Sequence, residues 1–152
     1  MRISIVGVSC SGKTTLAEGV SKKLGIPHIE QDQFFWNPGW RLTSQELFER
    51  SIGEKVALDS WVICGNHRES RKHVIDRVTH IVWLNYPLRI GFLRAFKRTS
   101  LRVLRRQECC NGNYETFRHA YLSKKSIFPF WNSTIPSRRW SGFKLLSPNF
   151  VD

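Results

Sequence analysis

The sequence has few cysteines and no long apolar run, and both shortages narrow the classes of protein it can encode. Four cysteines at irregular spacing in 152 residues exclude a disulfide framework and a zinc site. No apolar stretch approaches the roughly 20 residues that span a bilayer. The apolar run Ile3–Val8 is too short for a signal peptide and leads into a glycine-rich loop. We therefore expect a cytoplasmic protein with reduced thiols and no membrane partner.

Acidic residues are scarce in the second half of the chain. Residues 1–76 carry 10 basic and 9 acidic side chains, whereas residues 77–152 carry 14 basic and 3 acidic side chains. The formal net charge of +12 therefore comes almost entirely from the second half. The positive charge of residues 77–152 favours binding to an anionic partner, which could be nucleotide phosphates, nucleic acid or an acidic protein. Charge by itself does not choose among the three.

Short apolar runs alternate with helical patterns along the chain, and no repeat or linker interrupts them. This alternation predicts a single α/β domain, residues 1–152, with a mostly parallel sheet. A capping-box pair, Thr43 and Glu46, opens one of the helices, and residues 33–42 are predicted to form a loop. The predicted strands are Ile3–Val6, Pro27–Asp32, Trp61–Cys64, His80–Leu84 and Phe143–Leu146. The predicted helices are Thr14–Leu24, Thr43–Leu58, Leu88–Arg106 and Tyr114–Lys125.

The strongest motif follows the first predicted strand. Residues 7–14 match the phosphate-binding pattern G-x-x-x-x-G-K-[ST], in which backbone amides and a helix N-terminus cradle phosphates. In this pattern Lys13 reaches the β- and γ-phosphates, and the Thr14 hydroxyl binds Mg²⁺. A glycine turn with a coincidental lysine is disfavoured by the strand before it and the helix after it. The predicted nucleotide-binding residues are Gly7, Ser9, Cys10, Ser11, Gly12, Lys13, Thr14 and Thr15.

An arginine-rich helix is the second candidate feature. Seven basic residues and no acidic residue lie between Arg89 and Arg106. Arg94, Arg98 and Arg102 recur every four residues, so they share one helix face. Such a face binds phosphate or is simply solvated, and the spacing leaves both interpretations open.

These motifs resemble the adenylate kinase group of nucleoside monophosphate kinases. The resemblance rests on residues 7–15 and on Asn85-Tyr86-Pro87, with Arg94 and Arg98 at the offsets that the group's lid-helix arginines have. It implies a three-layer P-loop fold with a mostly parallel five-stranded sheet, ATP and Mg²⁺ as cofactors, and a catalytic role for Lys13, Arg94 and Arg98. Residues 64–68 resemble the group's Asp-Gly-Phe-Pro-Arg segment, which implies that Arg68 grips the acceptor phosphate.

A more specific resemblance is to the adenylate-kinase-like DNA topology modulation proteins, the FlaR-related family. It extends to about Trp131. A lid at residues 102–113 is predicted to exclude water from the site. The segments that carry the resemblance are residues 32–40, 61–66, 81–85 and 111–115.

The chain departs from these families at three places. Cys64 and Asn85 stand where aspartates are expected, and no helix is predicted after Leu146. The lost carboxylates put catalytic rate in doubt more than nucleotide binding. Glu30 and Asp32 could replace them, or could be no more than the polar end of a strand.

An acceptor site is expected around Asp32, Trp36 and Arg68. Aromatic residues at positions 34–36 and 40 could stack on an acceptor base or close the end of the sheet. The sequence thus predicts transfer of the ATP γ-phosphoryl group to a small acceptor, with a nucleotide as the expected acceptor. The alternatives are a small-metabolite kinase and a nucleic-acid-binding protein with a regulatory nucleotide site, to which the basic half would contribute.

Overall fold

The computed structural model describes residues 1–116 and the backbone of residues 142–146. The strands are β1 (Arg2–Gly7), β2 (His28–Glu30), β3 (Trp36–Asn37), β4 (Arg41–Leu42), β5 (Trp61–Cys64), β6 (His80–Asn85), β7 (Glu108–Cys110), β8 (Asn113–Tyr114) and β9 (Gly142–Leu146). The helices are α1 (Lys13–Leu24), α2 (Gln31–Phe35), α3 (Gln45–Val56), α4 (Arg71–Ile75) and α5 (Leu88–Arg105). None of these helices is long and apolar enough to cross a bilayer.

The central sheet has five strands in the order β2-β5-β1-β6-β9. The first four strands are parallel, and β9 pairs antiparallel with β6 at one edge. All four residues of β5 are buried, as expected for a parallel strand that is covered on both faces. The predicted mostly parallel five-stranded sheet is confirmed.

Helices cover both faces of the sheet, because successive side chains of a strand point to opposite sides. On one face Trp61 and Ile63 of β5 join a core cluster with Phe48 and Ile52 of α3. On the other face Val62 belongs to a cluster that includes Ala17 of α1. The carboxyl ends of the parallel strands meet at one edge of this three-layer arrangement, where open α/β sheets bind ligands.

The predicted loop at residues 33–42 is instead structured. It contains the end of the short helix α2 and the β3–β4 hairpin. The Thr43 hydroxyl does not cap α3; it donates to the Phe34 carbonyl (2.8 Å) and accepts from Asn37 Nδ2 (3.0 Å). Ser44 caps α3 by accepting from the Leu47 amide at 3.4 Å. The capping position is therefore one residue later than predicted, because Thr43 is engaged in closing the hairpin.

A second hairpin, β7–β8, stands where the start of a helix was predicted. Tyr114 lies in β8, so the predicted helix does not begin there, and its part beyond residue 116 lies outside the described residues. Asn111 and Gly112 both have positive φ, 49° and 72°, as a two-residue Asn-Gly hairpin turn requires. The short helix α4 was also not predicted.

Candidate functional site

A cleft of about 540 Å³ lies at the carboxyl ends of the parallel strands. The phosphate loop after β1, the end of β2 and one side of α5 contribute to its walls. Its lining residues are Ser9, Cys10, Gly12, Lys13, Thr14, Thr15, Glu30, Asp32, Trp36, Trp40, Arg94, Arg98, Arg102, Cys109, Cys110 and Glu115. The cleft thus contains four cationic and three carboxylate side chains. The cationic side chains suit a polyanionic ligand, and the carboxylates suit a second, polar ligand beside it.

The phosphate loop is curled around its own lysine. Lys13 Nζ donates to the carbonyls of Gly7 and Val8 at 3.0 and 2.9 Å. A Cβ at Gly7 would lie 2.7 Å from the Leu84 carbonyl oxygen, so only glycine fits against β6. Ser11 Oγ is buried and has no hydrogen-bond partner among the described residues. A buried, unpaired hydroxyl inside this loop fits an anion that would complete its hydrogen bonding.

A carboxylate lies beside the predicted magnesium-binding threonine. Thr14 Oγ1 donates to Glu30 Oε1 at 3.1 Å. The Cys64 thiol lies 3.8 Å from the same hydroxyl, and burial raises the pKa of Cys64 to about 11, so this side chain is neutral at physiological pH. Cys64 therefore does not replace the lost charge, whereas Glu30 places a carboxylate next to Thr14. Hydroxyl and carboxylate oxygens are ligands that suit Mg²⁺, so the residues present fit the ion.

Three arginines of α5 face the cleft. Arg94, Arg98 and Arg102 all line it, which settles where this part of the basic helix points. The Arg94 guanidinium lies over the ring of Tyr86, 4.9 Å from its centroid. Arg102 Nη1 donates to Cys109 Sγ at 2.9 Å and to Glu115 Oε1 at 3.4 Å. The guanidinium groups of Arg94 and Arg102 are thus held in place by contacts with other side chains.

Asp32 and Trp36 line the far side of the cleft, and Arg68 does not. Trp36 meets Trp40 edge to face, with ring centroids 5.4 Å apart. Arg68 is exposed, and its neighbour His67 contacts the site instead, with Nε2 2.7 Å from Asp32 Oδ1. The hydrogen bond from His67, more than the proximity of any other charge, holds the pKa of Asp32 below its ordinary value. Asp32 is therefore ionised at neutral pH.

The charges of the two sides of the cleft interact across it. Burial lowers the pKa of Lys13, and the carboxylate of Asp32 opposes that shift. Lys13 and Arg98 in turn help to keep Asp32 ionised. The interaction places the Asp32 carboxylate within electrostatic range of the lysine that the motif assigns to the transferred phosphate.

The two hairpins, which both contribute lining residues to the cleft, are joined by asparagine side chains. Asn113 Oδ1 accepts from the Trp40 amide at 2.8 Å, and Asn113 Nδ2 donates to the Asn37 carbonyl at 3.0 Å. Asn111 Nδ2 donates to the carbonyls of Gln33 and Trp36, both at 2.6 Å. The segment predicted to be a lid is thus fastened to the aromatic hairpin.

Two residues at or beside the cleft were not identified from the sequence. Glu115 lines the cleft, and His67 contacts it only through Asp32. Neither shows a recognisable spacing, because Arg102 is 13 residues from Glu115 and Asp32 is 35 residues from His67. Arg102 and Glu115 form an ion pair with side chains only 24% and 19% exposed, and Glu115 Oε2 has no hydrogen-bond partner among the described residues. The dipeptide Asn111-Gly112 was the one local signal in the sequence that could have predicted the β7–β8 hairpin.

Solved structures of kinases resemble this chain. Shikimate kinase from Aquifex aeolicus has a TM-score of 0.50 at 19% identity, over 70% of this chain and 77% of that one. A gluconokinase from Sinorhizobium meliloti has a TM-score of 0.49 at 25% identity, over 65% of each chain. A sugar kinase from a Janibacter species has a TM-score of 0.47 at 27% identity, over 64% of this chain and 66% of that one.

The chain covers less than two thirds of the length of the gluconokinase and the sugar kinase. No protein-family model and no curated protein matches it. The similarity, together with the sheet order, confirms the P-loop fold that the sequence predicted. Membership of the topology modulation family stays a prediction.

Proposed function

We propose that this protein is an ATP-dependent phosphotransferase that acts on a hydroxyl group of a small acceptor. The observation that carries the proposal is the convergence of the phosphate loop, Arg98 and the ionised Asp32 carboxylate on one cleft. The loop and the arginine suit a triphosphate. A carboxylate that hydrogen-bonds a hydroxyl supplies the complementary position for an acceptor.

The phosphate half of the cleft would hold the nucleotide. Residues 9–15 would cradle its phosphates, and Lys13 would exchange its bonds to the loop carbonyls for bonds to phosphate oxygens. Thr14 would hold Mg²⁺ with Glu30 beside it, and the bound ion would neutralise charge that develops on the phosphates. Arg94 and Arg98 would stabilise the transferring group electrostatically, since phosphoryl transfer needs positioning more than covalent chemistry.

The acceptor half favours a hydroxyl over a phosphate as the attacking group. An ionised carboxylate repels a phosphate oxygen, whereas it accepts a hydrogen bond from a hydroxyl. Arg68, which would grip an acceptor phosphate in the monophosphate kinases, lies outside the cleft. The geometry therefore favours the small-metabolite alternative over the nucleotide acceptor that the resemblance implied, with Trp36 and Trp40 offering apolar faces to the acceptor.

In the proposed reaction the acceptor oxygen forms a bond to the γ-phosphorus while the bond from that phosphorus to the bridging oxygen of ADP breaks. The hydroxyl proton passes along its hydrogen bond to Asp32 late in the transfer and from there to water. The β7–β8 hairpin would act as the lid, because water in an open site competes with the acceptor.

The test has a binding arm and a turnover arm. Calorimetry and thermal melting with millimolar Mg·ATP should register binding and a raised melting temperature, since a ligand at 100 times its Kd stabilises by about 2.7 kcal/mol. ATP consumption is then screened against panels of hydroxyl compounds and nucleoside monophosphates. Turnover with a hydroxyl compound supports the proposal, turnover only with monophosphates reassigns the acceptor, and absence of ATP binding overturns the site.

A further inference from the structure

The Asp32 carboxylate has a hydrogen-bond partner that the proposed transfer leaves without a role. His67 Nε2 lies 2.7 Å from Asp32 Oδ1. Because an ionised carboxylate only accepts hydrogen bonds, Nε2 carries the proton and donates it. The side chain of Asp32 is 56% exposed in the cleft, whereas that of His67 is 16% exposed and does not line it. His67 can therefore influence a bound acceptor only through Asp32.

The orientation of the His67 ring is fixed by aromatic neighbours. Its centroid lies 4.2 Å from that of Phe35, at an interplanar angle of 36°. The ring of Phe48, which is fully buried in the core, meets it edge-on at 5.4 Å. These two contacts fix the plane of the imidazole, and the hydrogen bond to Asp32 Oδ1 selects the ring edge that faces the carboxylate.

The backbone that carries His67 is tied to the helix that carries Asp32. Gln31 is buried, and its Oε1 accepts from the His67 amide at 3.3 Å and from Ser70 Oγ at 3.1 Å. A Cβ at Gly65 would lie 2.7 Å from Gln31 Cβ, so the turn approaches α2 as closely as glycine allows. The separation of His67 and Asp32 is thus a property of the fold rather than of two mobile side chains.

We propose that His67 is a positioning residue that holds the Asp32 carboxylate in the orientation that receives the acceptor hydroxyl. With Oδ1 engaged by His67, Oδ2 is left for the acceptor. The inference rests on the proposed function and deepens it, because it names the group that orients the acceptor's hydrogen-bond partner.

Two variants of the full-length protein separate positioning from packing. His67→Phe keeps a ring between Phe35 and Phe48 and loses the donor, whereas His67→Gln loses the ring and keeps an amide N–H near the position of Nε2. Turnover of Mg·ATP is measured with water as acceptor and with the hydroxyl compound found by the screen. We expect His67→Phe to lower kcat roughly tenfold to a hundredfold, the worth of one hydrogen bond to a charged group, with the KM for ATP unchanged.

His67→Gln should recover most of the lost turnover. The opposite pattern, an active His67→Phe and an impaired His67→Gln, would show that the ring serves only packing and would overturn the inference. Thermal melting of both variants checks that they are folded.

A third comparison tests whether His67 acts through Asp32. In an Asp32→Asn background, His67→Phe should cost no further turnover, and an additive loss would overturn the inference. Independently of any variant, nitrogen-15 NMR of the wild-type ring should report the Nε2–H tautomer, and an Nδ1–H tautomer contradicts it. Wild-type protein without ATP turnover overturns the proposed function and the inference together, whereas active wild type with an equally active His67→Phe overturns the inference alone.

Discussion

The two halves of the cleft are built in different ways. The phosphate half comes from one stretch of the chain, residues 7–15, and its lysine bonds to carbonyls five and six residues away. In the acceptor half, Asp32 meets His67 across 35 residues, and Trp40 meets Asn113 across 73. A local motif keeps its geometry wherever a strand precedes it and a helix follows. The acceptor half is assembled from distant segments, so a change of sequence in any one of them can alter which acceptor the cleft binds.

The largest expected effect lies in the phosphate half. Lys13→Ala should lower ATP turnover by at least a factor of about 10² to 10³, because it removes the charge that the proposed mechanism places against the transferring phosphoryl group. The matched control is Lys22→Ala, at an exposed position in the last turn of the same helix, which should retain turnover. Equal turnover of Lys13→Ala and wild type in a coupled ADP-release assay would remove the site.

The next effect should be confined to the acceptor half. Asp32→Asn removes the ionised hydrogen-bond acceptor, so we expect kcat for transfer to fall about a hundredfold while the KM for ATP changes by less than about threefold. Asp59→Asn makes the same charge change at an exposed position away from the cleft and serves as the control. If Asp32→Asn weakens ATP binding as much as transfer, the two halves are not separable.

The asparagine contacts between the two hairpins should affect acceptor binding more than the rate of phosphoryl transfer. Asn113→Ala removes the hydrogen bonds that the Asn113 side chain makes to the Trp40 amide and the Asn37 carbonyl, which should cost about 1 to 3 kcal/mol in the free energy of unfolding. The KM for the acceptor should rise severalfold and that for ATP should not. Asn113→Asp keeps an acceptor for the Trp40 amide but buries a carboxylate against the Asn37 carbonyl, so urea unfolding should find it at least as destabilised as Asn113→Ala. A KM for the acceptor that stays at its wild-type value in Asn113→Ala would mean that the hairpin is not the lid.

The last prediction concerns thiol reactivity in the wild-type protein and involves no change in turnover. Burial raises the pKa of Cys64, beside Thr14, to about 11 and that of Cys109, beside Arg102, to about 12. Since the thiolate is the nucleophile, both should react with iodoacetamide at pH 8 roughly a hundredfold or more slowly than in unfolded protein. Reactivity should increase as the pH rises, because the thiolate fraction grows tenfold per pH unit below the pKa. Mass-spectrometric mapping in and without urea measures it, and equal rates in both conditions would mean that these thiols are not buried.

Several strands and helices of the fold could be predicted from the sequence pattern alone. The run Ile3–Val6 and the glycine-rich loop after it predicted β1 and α1 closely, because apolar periodicity and glycine conformations are local properties. The aromatic segment at residues 33–42 was wrongly expected to be a loop, since the hydrogen bonds that shape it come from Thr43 and from asparagines more than 70 residues away.

The candidate site divides in the same way. Asp32 and Trp36 were expected at the acceptor and do line the cleft, whereas Arg68 does not, and the segment after β5 reaches Asp32 through His67. The arginine was expected because residues 64–68 resemble the Asp-Gly-Phe-Pro-Arg segment of the monophosphate kinases. The chain after Gly65 brings His67 to Asp32, and this segment contacts Gln31 both at Gly65 and through the His67 amide.

The sequence by itself determined that a strand, a phosphate loop and a helix would follow one another, and that positive charge would gather in the second half. The strand, the loop and the helix depend on the spacing of apolar side chains and on the backbone conformations open to glycine, which are properties of a few neighbouring residues. Only the tertiary structure decided that Glu30 meets Thr14, that three arginines face the cleft and that His67 supports Asp32. The reason is physical: the order of the strands in the sheet sets which distant segments become neighbours, and no local propensity encodes that order.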